Sequence, residues 1–180
     1  MKRMNEVRVL VVACLLLLSS GLIAADKERL TDLGTTPVFE AFPVNTAGDS
    51  RNYTARVLLT SRLARRYRTV LSSEGTKEPN FAGHYRVVTW GCGTDCRGFA
   101  IVNRKTGGVF TPPSIEYVAG VTGNDEPRIG FRLDSRLLVV AGRINDDIEG
   151  KFFYEWTGKR LKLLYRMPLV KEDFSDEPSQ

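Results

Sequence analysis

From His84 to Met167 the chain consists almost wholly of short apolar stretches separated by polar turns. HYRVVTW, GFAIVN, VFTP, IEYVAGV, RIGFRLD, RLLVVAG, KFFYEW and LKLLYRM have the length of strands and are rich in β-branched and aromatic residues. RKTGG, TGND, DSR, RINDDIEG and TGKR punctuate them, with Gly107-Gly108, Gly150 and Gly158 where hairpins would turn. About seven to nine locally joined strands predict an antiparallel meander, doubled into a sandwich or a partly closed barrel. Too few strands are available for a complete propeller. In Phe152-Phe153-Tyr154, alternation sends Phe153 to one face and its neighbours to the other. Both faces are buried in a sandwich, whereas a sheet packed on one side would expose an aromatic surface.

One segment has a different period. Between Thr54 and Ser73, Leu59, Leu63, Tyr67, Val70 and Leu71 recur at helical spacing, and Arg62, Arg65, Arg66 and Arg68 fall mostly off that line. A single N-terminal helix near 54–73 is predicted, its Leu59, Leu63 and Tyr67 stripe covering one face of the sheet. Its arginine side reads either as a solvated face or as a grip on phosphates or anionic lipid headgroups. The fold class is thus α+β, predominantly β. Residues 26–52 form an irregular N-terminal segment broken by Pro37, Pro43 and Gly48, with one short strand expected over Val38 to Phe42. Residues 53–170 are expected to be a single β-rich domain and 171–180 a polar tail.

The first residues place the chain in a compartment. Lys2, Arg3 and Arg8 outweigh Glu6 before an uncharged apolar run from Val9 to Leu18, and small residues lead to Ala24-Ala25. These are the three regions of a secretory signal peptide, residues 1–25, cleaved after Ala25. The run is shorter than the about 20 residues needed to span a bilayer, and no second such run follows, so no transmembrane segment is expected after cleavage. A lipoprotein processed at Cys14 would leave Leu15 to Leu18 at the front of the mature chain. Removing three bases and one acid lowers the net charge from +5 to +3. A charge of that size favours solubility and gives no nucleic-acid footprint. The expected location is periplasmic or secreted.

Of the three cysteines, Cys14 leaves with the signal, so Cys92 and Cys96 in WGCGTDC remain as an isolated pair in an oxidising setting. Their C-x-x-x-C spacing differs from that of thioredoxin-like sites. Zinc needs about four ligands, and the one histidine, His84, cannot complete the set alone. A local disulfide is expected, with Gly91 and Gly93 supplying positive φ in a tight loop. Asp95, inside that loop beside Arg97, would cap the loop's own amides or bind a ligand cation. His84 reads as a structural hydrogen-bond donor. Asn145, Asp146, Asp147 and Glu149 concentrate oxygen atoms in one turn but lack the spacing of a calcium loop. No metal and no cofactor are expected. No local nucleophile motif is present, and an enzyme would have to draw on His84, Asp95 and Arg97.

The run NFAGHYRVVTWGCGTDCRGFAIVNRKTGGVF, Asn80 to Phe110, resembles a family of uncharacterised exported bacterial proteins with an N-F-A-G-H-Y segment followed by W-G-C-G-x-x-C. Arg68-Thr69 and Leu137 to Ala141 fit the same picture more loosely. The resemblance implies an envelope or periplasmic setting and carries over neither an activity nor a catalytic residue. The function expected is a non-enzymatic binding or inhibitory module acting through the braced loop, with His84, Trp90, Asp95 and Arg97 as its binding residues. Another exported protein or a cell-envelope component would be the partner. A structural or assembly protein of the envelope, and an enzyme of unknown class, are the alternatives. N-terminal sequencing of the exported fraction should read Asp26 or a residue within about two of it; an intact Met1 in the membrane pellet would refute the cleaved signal.

Overall fold

The computed structural model describes residues 36–46, 53, 55–120 and 127–168. The expected signal peptide, the polar tail and the TGND turn lie outside the described residues. Among the described residues there are eight strands: β1 Tyr85–Gly93, β2 Cys96–Asn103, β3 Val109–Phe110, β4 Val118–Ala119, β5 Ile129–Phe131, β6 Leu137–Ile144, β7 Ile148–Trp156 and β8 Leu161–Met167. They form one antiparallel sheet in the order β1-β2-β4-β6-β7-β8, with β3 added to β2 and β5 to β6.

Side-chain alternation explains how this sheet buries itself. Val87, Phe99 and Ile101 from β1 and β2 share a central core with Leu138, Val140, Phe152, Tyr154 and Trp156 from β6 and β7. Their sequence neighbours point the other way. Val88, Trp90, Ala100 and Val102 form a second cluster, and Leu137, Val139 and Phe153 a third. Both faces are therefore apolar, as the near-continuous runs FAIV and LLVVA require. Short β4 joins the two halves, pairing with Cys96 and Arg97 on one side and with Arg143 and Ile144 on the other. Away from β4, each half carries its own added strand, β3 or β5, and the central core fills the space between them. Tyr85 and Trp156 meet edge to face at 5.3 Å within it. Gly83 N–H donates to the Leu133 carbonyl at 2.7 Å from one half to the other.

The two outer faces have separate covers. Over β1 and β2 lie residues 55–60 and two short helices, α1 Arg62–Arg66 and α2 Arg68–Glu74. The single helix expected near 54–73 is thus shorter and broken. Ser61 caps α1, its Oγ accepting from Ala64 N–H at 3.0 Å. Tyr67, with φ −100° and ψ 28°, interrupts the helix between α1 and α2. The interruption alters which residues meet the sheet: Ala64 and Leu71 are wholly buried, whereas Leu63 is half-buried and outside the cluster.

Over β6 and β7 the cover is Phe39 and Phe42 together with Leu164, Tyr165 and Met167. The strand expected at Val38 to Phe42 is instead a 3-10 turn, Phe39–Ala41. Residues three apart eclipse in that geometry, so Phe39 and Phe42 reach the same face, which a strand would forbid. Ser135 holds the turn by donating its hydroxyl to the carbonyls of Phe39 and Phe42 at 2.7 and 3.2 Å.

Gly107 and Gly158 turn their hairpins at φ +77° and +86°, as expected. Gly150 does not; it lies inside β7, and the turn before it uses Asn145 and Asp146 at φ 52° and 60°. Short polar side chains tolerate that conformation better than most. Both free edges of the sheet are irregular. On β8, Phe153 faces Tyr165 and Tyr154 faces Leu163, so Leu164 is an inserted residue. On β1, the Asn80 side-chain amide takes both backbone groups of Val87, at 2.8 and 3.1 Å.

Arg104, in the RKTGG turn, is 2% exposed. Its guanidinium donates to four backbone carbonyls: Tyr53, Ala55, Thr76 and Lys77, at 2.7 to 3.0 Å. It thereby fastens both ends of the segment that carries α1 and α2. Leu71→Ala should lower stability by about 2–5 kcal/mol, read as a urea midpoint, and Leu63→Ala by clearly less. Equal losses would refute the assignment of Leu71 and not Leu63 to the core.

Candidate functional site

The WGCGTDC stretch is the far end of the β1–β2 hairpin. Trp90 lies opposite Gly98 and Gly91 opposite Arg97, but Gly93 lies opposite Cys96, which makes Cys92 an inserted residue. A β-bulge of this kind twists the strand locally and frees one residue from the ladder. Here that residue forms the disulfide: Cys92 and Cys96 are bonded across the bulge, Cα to Cα 5.3 Å. Thr94 and Asp95 close the turn. The braced loop expected at Gly91 to Gly98 is therefore mostly strand. Only Gly93 has positive φ, +155°; Gly91 does not.

Beneath the tip, Trp90 lies flat across β2. A Cβ at Gly98 would sit 2.4 Å from the Trp90 Nε1, so the indole occupies the space that any other side chain would fill. Tyr67 stacks on its other face, ring centroids 4.3 Å apart, and the Arg66 guanidinium lies 5.5 Å from the Tyr67 ring. Gly98, Trp90, Tyr67 and Arg66 thus form a stack that runs from the sheet to the surface. Trp90 is buried and serves as a support, not as the contact residue the sequence predicts.

Asp95 also has a structural role. Its carboxylate accepts from Gly120 N–H at 3.1 Å and from the Arg128 guanidinium, while Arg128 Nε donates to the Gly120 carbonyl at 2.7 Å. This closed network ties the tip to the residues after β4 and before β5. The amide that Asp95 caps belongs to Gly120, not to its own turn. Arg97 is exposed and donates only to the adjacent Cys96 carbonyl, at 3.2 Å. His84 lies at the other end of β1, roughly 25 Å away along a strand of this length. Its N–H donates to the Ala82 carbonyl and its carbonyl accepts from Arg104 N–H, both at 3.0 Å, and its ring packs on Tyr85 at 4.3 Å. The structure does not bring His84, Asp95 and Arg97 together.

Next to the tip is a cleft of about 480 Å³ lined by Arg66, Tyr67, Cys92, Gly93, Asp95, Cys96, Glu116, Tyr117, Ala119 and Asp146. Its far wall is fixed by the β6–β7 turn. Asn145 Oδ1 accepts from the N–H groups of Glu116 and Tyr117 at 2.9 and 3.3 Å, and its Nδ2 donates to the Ser114 carbonyl at 3.1 Å. Tyr117 donates its hydroxyl to Asp146 at 2.6 Å. That hydrogen bond, followed by burial and the Asp146 and Glu116 charges, raises the Tyr117 phenol above its ordinary value.

The acidic turn is thus partly engaged in protein contacts, and among the described residues no group of three or more His, Cys, Asp or Glu is placed to hold a metal ion. The cleft offers carboxylates, two phenols and one guanidinium, a set suited to hydrogen bonding and ion pairing. Sequence reasoning missed Tyr117 and Arg128. Tyr117 and Arg128 both stood in strand patterns, IEYVAGV and RIGFRLD, with no signal for either; Tyr67 and Arg66 were visible only as the two sides of a helix.

The chain matches no protein-family model, no curated protein and no solved structure. Gly98→Ala should cost about 1–3 kcal/mol by overpacking and shift the fluorescence of Trp90. An unchanged urea midpoint and unchanged emission would show that the indole can move aside freely.

Proposed function

We propose that the protein is an exported binding module without catalytic activity, and that it recognises its partner through the disulfide-braced hairpin tip and the cleft beside it. One observation carries this reading: the cleft walls come from separate segments, each held by its own interaction before any partner arrives. The disulfide fixes the tip, the Asp95–Arg128 pair ties it to the residues flanking β4 and β5, Asn145 holds 114–117, and Trp90 seats Tyr67. A surface ordered in advance loses little entropy on binding, which is how a small area gains useful affinity. Exposed Arg97 and the Tyr117 hydroxyl are the groups offered to the partner. Another exported protein, or a component of the cell envelope, is the partner class that an export signal favours.

The test is capture from an envelope extract with the processed chain, cross-linked and identified by mass spectrometry. A dominant protein partner supports the binding reading, and retention with bulk cell-wall material supports a structural or assembly role. The matched variants are Cys92→Ser/Cys96→Ser and Arg97→Ala/Tyr117→Phe. Loss of so small a ring should reduce stability by about 2 kcal/mol, and the second pair should leave the urea midpoint nearly unchanged. Both should weaken capture at least about tenfold, a loss of roughly 1.4 kcal/mol. Wild-type capture by both would show that recognition lies elsewhere.

A further inference from the structure

The arginines of α1 and α2 form a surface that the core does not use and that meets the cleft beside the tip only through Arg66. Between Asp49 and Glu74 the sequence holds six arginines, no lysine and no acidic residue. Arg56, Arg62, Arg65, Arg66 and Arg68 are all exposed. In α1, Arg62, Arg65 and Arg66 stand at i, i+3 and i+4 and so share one side of the helix. Two are already positioned: Arg65 donates to the Thr60 carbonyl at 2.6 Å, and Arg66 rests on the Tyr67 ring. Neither Arg62 nor Arg68 meets a carboxylate among the described residues. Glu74, the next acid along the chain, is engaged by Lys77 and Arg86 at 2.7 and 3.3 Å. Leu58, 49% exposed, lies two residues before the Thr60 carbonyl that Arg65 grips.

We propose that this face docks the protein on a bilayer surface rich in anionic phospholipid headgroups. Guanidinium groups match phosphate oxygens in a two-pronged geometry that ammonium groups lack, and this surface is built from arginine alone. Several cations on one short helical segment suit a plane of phosphates, and exposed Leu58 supplies an apolar contact beside them. A single-stranded nucleic acid is the weaker match. It needs open aromatic faces for its bases, and Tyr67 is already stacked on Trp90, with the Arg66 guanidinium over its ring. Of these arginines only Arg66 also lines the cleft; Arg62, Arg65 and Arg68 do not.

The experiment is vesicle co-sedimentation of the processed chain, comparing phosphatidylcholine vesicles with vesicles in which one third is phosphatidylglycerol. Wild type should bind the anionic vesicles and not the neutral ones, and should release at about 0.5 M salt, where screening shortens to a few ångströms. Arg62→Gln/Arg65→Gln/Arg68→Gln should weaken that binding by about a hundredfold, with Arg66 and the cleft untouched. The corresponding triple lysine variant should recover part of it and so separate headgroup recognition from a folding defect. Equal binding to both kinds of vesicle, unchanged binding of the glutamine variant, or retention by RNA with none by anionic vesicles would each overturn the proposal.

Discussion

A buried guanidinium holds the helical cover in place. A guanidinium is a charged group, and burying such a charge without compensation is costly. Four carbonyl oxygens from two separate segments converge on it and replace the water it has lost. Because those carbonyls lie at 53–55 and 76–77, the same group fastens both ends of the stretch that bears α1 and α2. That stretch seats Tyr67 on Trp90, and Trp90 in turn lies under the disulfide tip. The geometry of the cleft thus rests partly on a residue in a turn at the other end of β2.

The second constraint is the two-sidedness of the sheet. Strands whose successive residues are all apolar have no face to give to water, so each half needs one shared core and one cover of its own. The halves share the central core, and β4 is the narrow strip that lets them separate from each other while remaining one sheet. The close approach there is visible at Gly142, where a Cβ would meet the Ala119 carbonyl at 2.5 Å. The covers need little regular structure: two short helices serve one face, and a 3-10 turn with an edge strand serves the other.

Strand positions were legible because period-two burial and turn residues are local signals, and KFFYEW distributes its aromatics between the central and outer clusters as alternation requires. The disulfide was legible from the expected compartment and the cysteine count. What escaped depends on distant partners. Tyr67 interrupts a helix whose periodicity alone argued for continuity, and it stacks on a tryptophan in another element. Phe39 and Phe42 turn to one side because Ser135, far along the chain, holds their carbonyls. The inserted Cys92 could not be read because bulges follow from register, and register emerges only when both strands are placed. Arg104 carried no mark that distinguished it from a solvated turn residue.

The irregular sheet edges bear on what happens when many copies of the chain meet. An open β edge is a template for a neighbour's strand, and a long flat one invites stacking into fibres. Here the β8 edge is kinked at Leu164, and the β1 edge is occupied at Val87 by Asn80 and interrupted at Cys92. The bulge that carries the disulfide therefore also shortens the stretch of edge on which another copy could pair. A crosslink placed there fixes an irregularity that limits how far another strand can pair along this edge.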